Sequence, residues 1–286
     1  MVAIADGGST KCDWVFLDNK SEESIRTNTI GLNPNVTHEE EIIDELNKNL
    51  VFSQVKEKVS HVFFYGSGCG ASSNVEKINN ILEDFFPLAV VSIKEDLTAA
   101  AYSVYEGKPL LVCILGTGSN SCYFDGKEVK VDLPSLGFLV GDEGSGSALG
   151  KTLVKDYFMK KLPSDLECDF KETYALTIGE LIKNLYHSPR ANAYLADFSK
   201  FILNKKSHPY IQNLIYNELK KYFYYQVLPY RESRDCELGF IGSIAYYYED
   251  ILRSLAAEFH FSVGKIVQKP IDNLVDYHKR YILPHL

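Results

Sequence analysis

The chain opens on an apolar run, Val2 to Ala5, and then alternates at Cys12, Trp14 and Phe16. A period of two places such side chains on one face of a strand, so the spacing predicts two strands joined through the turn at Asp6-Gly7-Gly8. "HEEEIIDELNKNL" sets Ile42, Ile43, Leu46 and Leu50 at helical spacing. "HVFFYGSG" is an apolar run stopped by glycines and predicts a buried strand that leads into a loop. "SSNVEKINNILEDFF" predicts a helix capped by Ser72 or Ser73, with Val75, Ile78, Leu82 and Phe85 on one face. "LAVVSIKED" gives another strand, and "LTAAAYSVYEG" a short helix that stops at Gly107.

Pro109 marks a boundary, after which "LLVCILGTGSNSCYFDGKEVKVDL" predicts a strand, a glycine-rich turn and a hairpin around Asp125-Gly126. Helical spacing then dominates from Ser147 to about Arg231. "CELGFIGSIAYYYEDILRSLAAEF" follows as strand, glycine turn and helix, "FSVGKIVQ" as a last strand, and "PIDNLVDYHKRYI" as a closing helix with Pro270 at its first position. Alternating strands and helices at both ends make the class α/β, with a helical insertion over 147–231. "DGGSTKCDWVFLD" and "LGTGSNSCYFDGK" echo one another about a hundred residues apart, roughly one domain length. The echo predicts duplicated domains: 1–107, completed by 270–286, and 108–269.

Composition narrows the partners. Of 286 residues, 45% are apolar, enough for sizeable cores, and the net charge of -8 speaks against nucleic acid or an anionic membrane as the main partner. The start has no basic stretch followed by a long apolar run, and no apolar run reaches membrane-spanning length. The six cysteines form no CxxC pair and sit mostly in apolar strand-like runs, which predicts reduced core thiols in a cytoplasmic protein.

Five segments carry candidate chemistry. In "DGGSTK", glycines allow close backbone approach to an oxyanion, while amides, the Ser9 and Thr10 hydroxyls and Lys11 suit phosphate. Asp6 suits a magnesium ion held through water. An ordinary hairpin turn accounts for the same residues. "ILGTGSN", with Gly116, Thr117 and Gly118, poses the same choice. In "GDEGSG", 141–146, Asp142 either helps cap the following helix or accepts hydrogen bonds from ligand hydroxyls while the helix amides face an anion. Asp96, between a strand and a small-residue helix, is a helix cap or a general base at a strand's carboxyl end. Gly242-Ser243 either packs the backbone tightly or lets a flat base lie against it. The tyrosine-rich run 222–225 reads as the core and surface of a helix.

Together these segments resemble the N-acetylglucosamine kinase group of the sugar kinase/actin/heat-shock-ATPase superfamily, in the branch shared with dehydratase-activator ATPases, along nearly the whole chain. The resemblance implies two ribonuclease-H-like, actin-like ATPase domains facing a nucleotide cleft. It implies transfer of the γ-phosphoryl group of ATP, with Mg2+, to the 6-hydroxyl of an amino sugar: N-acetylglucosamine, with N-acetylmuramic acid or glucosamine as alternatives. Asp96 aligns with the catalytic aspartate and Asn35, in "GLNPN", with the sugar-contacting asparagine. Thr117, Asp142 and Gly146 match sugar or phosphate contacts. Gly8, Ser9, Thr10, Lys11, Gly116, Thr117 and Gly118 would serve ATP, Asp6 the metal, and Gly242 and Ser243 the nucleoside. A homodimer is left open. One departure concerns specificity: animal members carry a tryptophan before "GDEGS", where this chain has Leu136 nearest that place, and its sole tryptophan is Trp14. Against the activator alternative, neither Gly-Gly-Gln-Asp nor paired cluster cysteines occur.

Overall fold

A computed structural model describes residues 1–8, 11–18, 24–188 and 190–286, which divide into two compact units, Met1–Ser103 with Pro270–Leu286, and Val104–Lys269. The first unit is built on β1 (Val2–Gly7), β2 (Lys11–Leu17), β3 (Ser24–Ile30), β4 (His61–Gly66) and β5 (Val90–Glu95), in sheet order β3-β2-β1-β4-β5. β1 is apolar and almost wholly buried, as a central strand covered on both faces must be. It pairs antiparallel with β2 and parallel with β4, and β5 continues the parallel side. β3, "SIRTNTI", was not expected: it is a largely polar, exposed edge strand, and it lacks the apolar alternation that marks a half-buried one.

Helices α1 (Glu39–Lys48) and α2 (Leu50–Val55) lie between β3 and β4, α3 (Ser72–Phe85) lies between β4 and β5, and α4 (Asp96–Val104) follows β5. α1 buries Ile42 and Leu46, but Ile43 is 40% and Leu50 77% exposed. Leu50 leaves the expected face because the side chain of Asn49 caps a new helix by accepting the Val51 amide at 3.1 Å. Neither Ser72 nor Ser73 caps α3; the cap position is Ala71, without a side-chain bond, and the buried face is Ile78, Ile81 and Leu82. The core is aromatic. Trp14 meets Phe52 edge-on at 5.1 Å, lies near Phe16, Phe64 and Phe86, and donates its indole N–H to Thr29 Oγ1 at 3.3 Å.

The closing helix, Ile271–Tyr277, has Pro270 one place earlier than expected, at the cap. The turn that follows seats His278 against β4, where its Nε2 bonds Tyr65 Oη at 2.8 Å. Burial, then the Lys94 charge, pushes the His278 imidazolium down to about 3, so the ring is neutral at physiological pH.

The second unit repeats the plan. β6 (Leu110–Leu115), β7 (Ser119–Phe124), β8 (Val129–Lys130), β9 (Glu237–Ile241) and β10 (Val263–Val267) run in the order β10-β9-β6-β7-β8. β6, β7 and β8 form an antiparallel meander, and β9 and β10 extend it in parallel, as β1 to β5 do in the first unit. Between β8 and β9 come α5 (Gly137–Val140), α6 (Gly146–Phe158), α7 (Ser164–Tyr174), α8 (Ile178–Tyr186), α9 (Ala191–Asp197), α10 (Ser199–Asn204) and α11 (Pro209–Tyr222). α12 (Ser243–Tyr247) and α13 (Glu249–Glu258) lie between β9 and β10.

Tyr222 and Phe223 are buried, whereas Tyr224 and Tyr225 face solvent. Cys12, Cys69, Cys113 and Cys122 are buried, Cys236 half-buried and Cys168 exposed, all as free thiols. Among the described residues no helix is long and apolar enough to cross a membrane.

α6 and α9 approach closely: a Cβ on Gly150 would stand 1.8 Å from the Leu195 carbonyl oxygen. Gly150→Val should therefore destabilise the protein by about 1–3 kcal/mol, read as a lower urea midpoint. Gly179, with nothing within 4 Å of its Cβ position, supplies the control: Gly179→Ala should leave the midpoint unchanged or slightly raised. Equal midpoints for the two variants would contradict this packing.

Candidate functional site

In the first unit, the parallel strands β1, β4 and β5 end level with one another: Gly7 pairs with Gly66, and Gly66 with Glu95. The next residue of each strand is Gly8, Ser67 and Asp96. Carboxyl ends of parallel strands are where open α/β sheets hold ligands. On β1, the Gly8 amide donates to the Lys11 carbonyl at 2.9 Å and closes the turn. Ser9 and Thr10 lie outside the described residues. Lys11 pairs with Asp13 at 2.6 Å, so its ammonium is partly neutralised within the hairpin. Asp6 lies opposite Asp13 in the ladder. Burial first, then the charges of Asp96 and Asp13, raise the Asp6 carboxyl to about 7.

Asp96 heads α4, and both of its carboxylate oxygens are held. Oδ1 accepts the Leu97 amide at 2.9 Å, and Oδ2 accepts the Ser67 hydroxyl at 2.6 Å. Glu95 and Cys69 lie close enough to feel its charge. Burial, then Asp96, raises the Glu95 carboxyl; burial, then Asp96 and Glu95, raises the Cys69 thiol to about 11.

Beside this row sits an amide cluster. The Asn74 side chain donates to Asn35 Oδ1 at 2.9 Å and to the Gly68 carbonyl at 2.8 Å. The Asn35 amide donates to Asn33 Oδ1 at 3.0 Å. The structure thus places Asn35 beside the loop that follows β4, whose Ser67 holds Asp96. Ser67, Asn33 and Asn74 were missed from sequence. The available signal was the hydroxyl and amide content of "GSGCGASSN" directly after a predicted strand.

In the second unit, the turn between β6 and β7 is held by its own chain. The Gly116 amide donates to the Gly118 carbonyl at 3.0 Å. Gly146 donates to Gly116 at 2.8 Å and Ser147 to Thr117 at 3.0 Å. These bonds correct one expectation. α6 begins at Gly146 with Ser145 as its cap, and the amides of its first turn are committed to loop carbonyls and to the cap, so they are not left to face an anion. Asp142 is likewise bonded internally. Its backbone has φ +62°, and its Oδ1 accepts the Ser119 amide at 3.2 Å. Burial raises its carboxyl, against the opposing effect of that amide. Thr117 is exposed at the tip, while Ser119 Oγ is buried without a partner among the described residues.

Gly242 packs closely against backbone. It has φ +115°, and a Cβ there would stand 2.3 Å from the Leu115 carbonyl, so β9 can rest on the end of β6 only without a side chain. Ser243 is exposed at the head of α12. Leu136 is 60% exposed, together with Leu139 and Val140, whereas Trp14 is in the core of the first unit. Among the described residues no group of three His, Cys, Asp or Glu side chains could hold a metal directly.

No family model and no curated protein matches the chain. Solved structures do. A proposed N-acetylglucosamine kinase from Porphyromonas gingivalis is 33% identical over 98% of this chain and 99% of its own, with a TM-score of 0.92. A second such protein, from Chromobacterium violaceum, is 13% identical over 96% of this chain and 98% of its own, with a TM-score of 0.70. A ROK family protein from Streptococcus pneumoniae, solved with sucrose, is 12% identical over 97% and 98%, with a TM-score of 0.51. The latter two likenesses concern the fold alone, an α/β architecture of two units. At one-third identity along essentially its whole length, the chain belongs to the same family as the proposed N-acetylglucosamine kinase of Porphyromonas gingivalis.

Proposed function

We propose that this protein is an ATP-dependent sugar kinase that phosphorylates the 6-hydroxyl of an amino sugar, N-acetylglucosamine. The observation that carries the reading is Asp96: a carboxylate at the end of a parallel strand, with each oxygen fixed by one donor and lone pairs left for a substrate hydroxyl. Family membership with the Porphyromonas gingivalis protein supports the acceptor. In the transfer, a bond forms between the sugar O6 and the γ-phosphorus, and the bond from that phosphorus to the β,γ-bridging oxygen breaks. ADP leaves, and the O6 proton passes to Asp96. Positioning and charge stabilisation supply most of the catalysis in such reactions.

Asn35 has its side-chain oxygen taken by Asn74, so it offers its N–H groups to a sugar oxygen. Gly8, Ser9, Thr10 and Lys11 would serve the phosphates of ATP, as would Gly116, Thr117 and Gly118. Asp142 and Gly146 act by holding the turn at 116–118 in shape, through the Ser119 amide and the Gly116 carbonyl. Gly242 and Ser243 border the nucleoside. Asp6 fits a magnesium ion held through water, since it is a half-buried hard-oxygen donor crowded by two like charges that a cation would relieve. Bound there, the ion would neutralise charge on the phosphates. Leu136, in place of a tryptophan, leaves N-acetylmuramic acid and glucosamine as the competing acceptors.

Asp96→Asn should lower kcat by about 10²-fold or more while leaving ADP affinity within about twofold, measured by coupled ADP release and by calorimetry. In the same release assay the wild type should give its highest kcat/KM with N-acetylglucosamine among amino sugars and glucose. Wild-type turnover in Asp96→Asn would overturn the reading.

Asp6 gives a second test. Folding raises its carboxyl, so its contribution to stability is full below about pH 4 and is lost as the pH rises through about 7. Above pH 7, Asp6→Asn should therefore be more stable than the wild type, by about 4 kcal/mol, and the gap should close near pH 4. Added Mg2+ should narrow the gap at high pH. Urea midpoints across the pH range check both, and a gap that does not change with pH would contradict the assignment.

A further inference from the structure

We infer that Ser67 is a positioning residue that ties the orientation of the Asp96 carboxylate to the first phosphate turn; the inference rests on the kinase reading of Asp96. Ser67 stands on the middle strand end of the row Gly8, Ser67, Asp96, and it bonds in both directions. Its amide donates to the Gly7 carbonyl at 2.8 Å, at the end of β1. Its hydroxyl donates to Asp96 Oδ2 at 2.6 Å, at the end of β5. β1 and β5 are not neighbours in the sheet; β4 lies between them.

The place of Ser67 is set by the backbone. The Cys69 amide donates to the Gly66 carbonyl at 3.2 Å, which closes a tight turn with Ser67 and Gly68 at its centre. Gly68 has φ +85°, the left-handed value that the third residue of a type II turn requires. A side chain on Gly68 would also run into Asn33 Oδ1, at 2.3 Å. Ser67 is therefore held between β1 and β5 by a turn that cannot easily relax.

Two consequences follow from the chemistry. A hydroxyl donating to a carboxylate is a charge-assisted bond, so it fixes the carboxylate's rotation more strongly than a neutral pair would. The same residue is also bonded to the strand end that enters the Gly7–Lys11 turn, so a shift of that turn reaches Asp96 through one side chain. The loss from removing Ser67 should therefore appear in the chemical step and not in substrate affinity.

The test compares Ser67→Ala, the isosteric pair Ser67→Thr and Ser67→Val, Asp96→Asn, and the double variant S67A/D96N, in full-length protein with N-acetylglucosamine and ATP. Ser67→Ala and Ser67→Val should lower kcat about tenfold or more, with both KM values within about twofold. Ser67→Thr, which keeps the hydroxyl, should recover kcat to within about threefold of the wild type. On the residual turnover of Asp96→Asn, adding Ser67→Ala should have no further effect, since the bond it removes is already altered. Wild-type kcat in Ser67→Ala and Ser67→Val overturns the inference, as does an equal loss in the Thr and Val variants, or the same factor lost on the Asp96→Asn background. In each of those cases the kinase reading stands if Asp96→Asn is itself inactive. Full turnover in Asp96→Asn overturns that reading and this inference with it.

Discussion

Two hydrogen bonds from Ser67 span the carboxyl end of the first sheet, joining the end of β1 to the carboxylate of Asp96. A carboxylate at a strand end is free to rotate unless something bonds it, and a freely rotating base is a poor one. Here the sheet supplies the restraint. Level strand ends put Gly8, Ser67 and Asp96 in one row, and the turn at Gly68 holds the middle residue in place. The like charges gathered there have a visible cost: Asp6, beside Asp96 and Asp13, is pushed toward neutrality. Such crowding destabilises the ionised protein and at the same time favours a cation at that place.

The second unit uses the same strand order for a different balance of roles. Its turn at 116–118 is fastened by amides of α6 and, through Ser119, by the Asp142 carboxylate. Groups that a sequence offers as ligand contacts can thus be occupied in shaping a loop. Asp142, Ser145 and Gly146 do so here, and Gly242 gives β9 room at the end of β6. What the loop offers outward is the exposed Thr117 and the backbone at the tip.

Much of this was legible in the chain. The two hairpins, the buried strands, Asp96 at a strand end and the helical stretch between β8 and β9 all follow from period and punctuation, because apolar alternation and glycine turns report local backbone geometry. The edge strand β3 was not legible, since its exposed polar residues carry no burial signal. Nor was the break at Asn49, where one cap turns a single apparent helix into two and sends Leu50 to solvent. The partners of the candidate site were hidden for another reason. Ser67 meets Asp96 across 29 positions and Asn74 meets Asn35 across 39, and such pairings depend on strand order, which no local pattern encodes. Trp14 is the converse case: its place in the alternation with Cys12 and Phe16 already sets it on the inner face of β2, where it anchors an aromatic core.

The central claim is that Asp96, held by Ser67, receives the proton of a sugar hydroxyl. The most direct measurement is a crystal structure with N-acetylglucosamine and ADP bound. The account predicts the sugar O6 within hydrogen-bonding distance of the Asp96 carboxylate, roughly 2.6–3.2 Å, with the Ser67 bond intact. A bound sugar whose hydroxyls all lie beyond reach of Asp96 would contradict it.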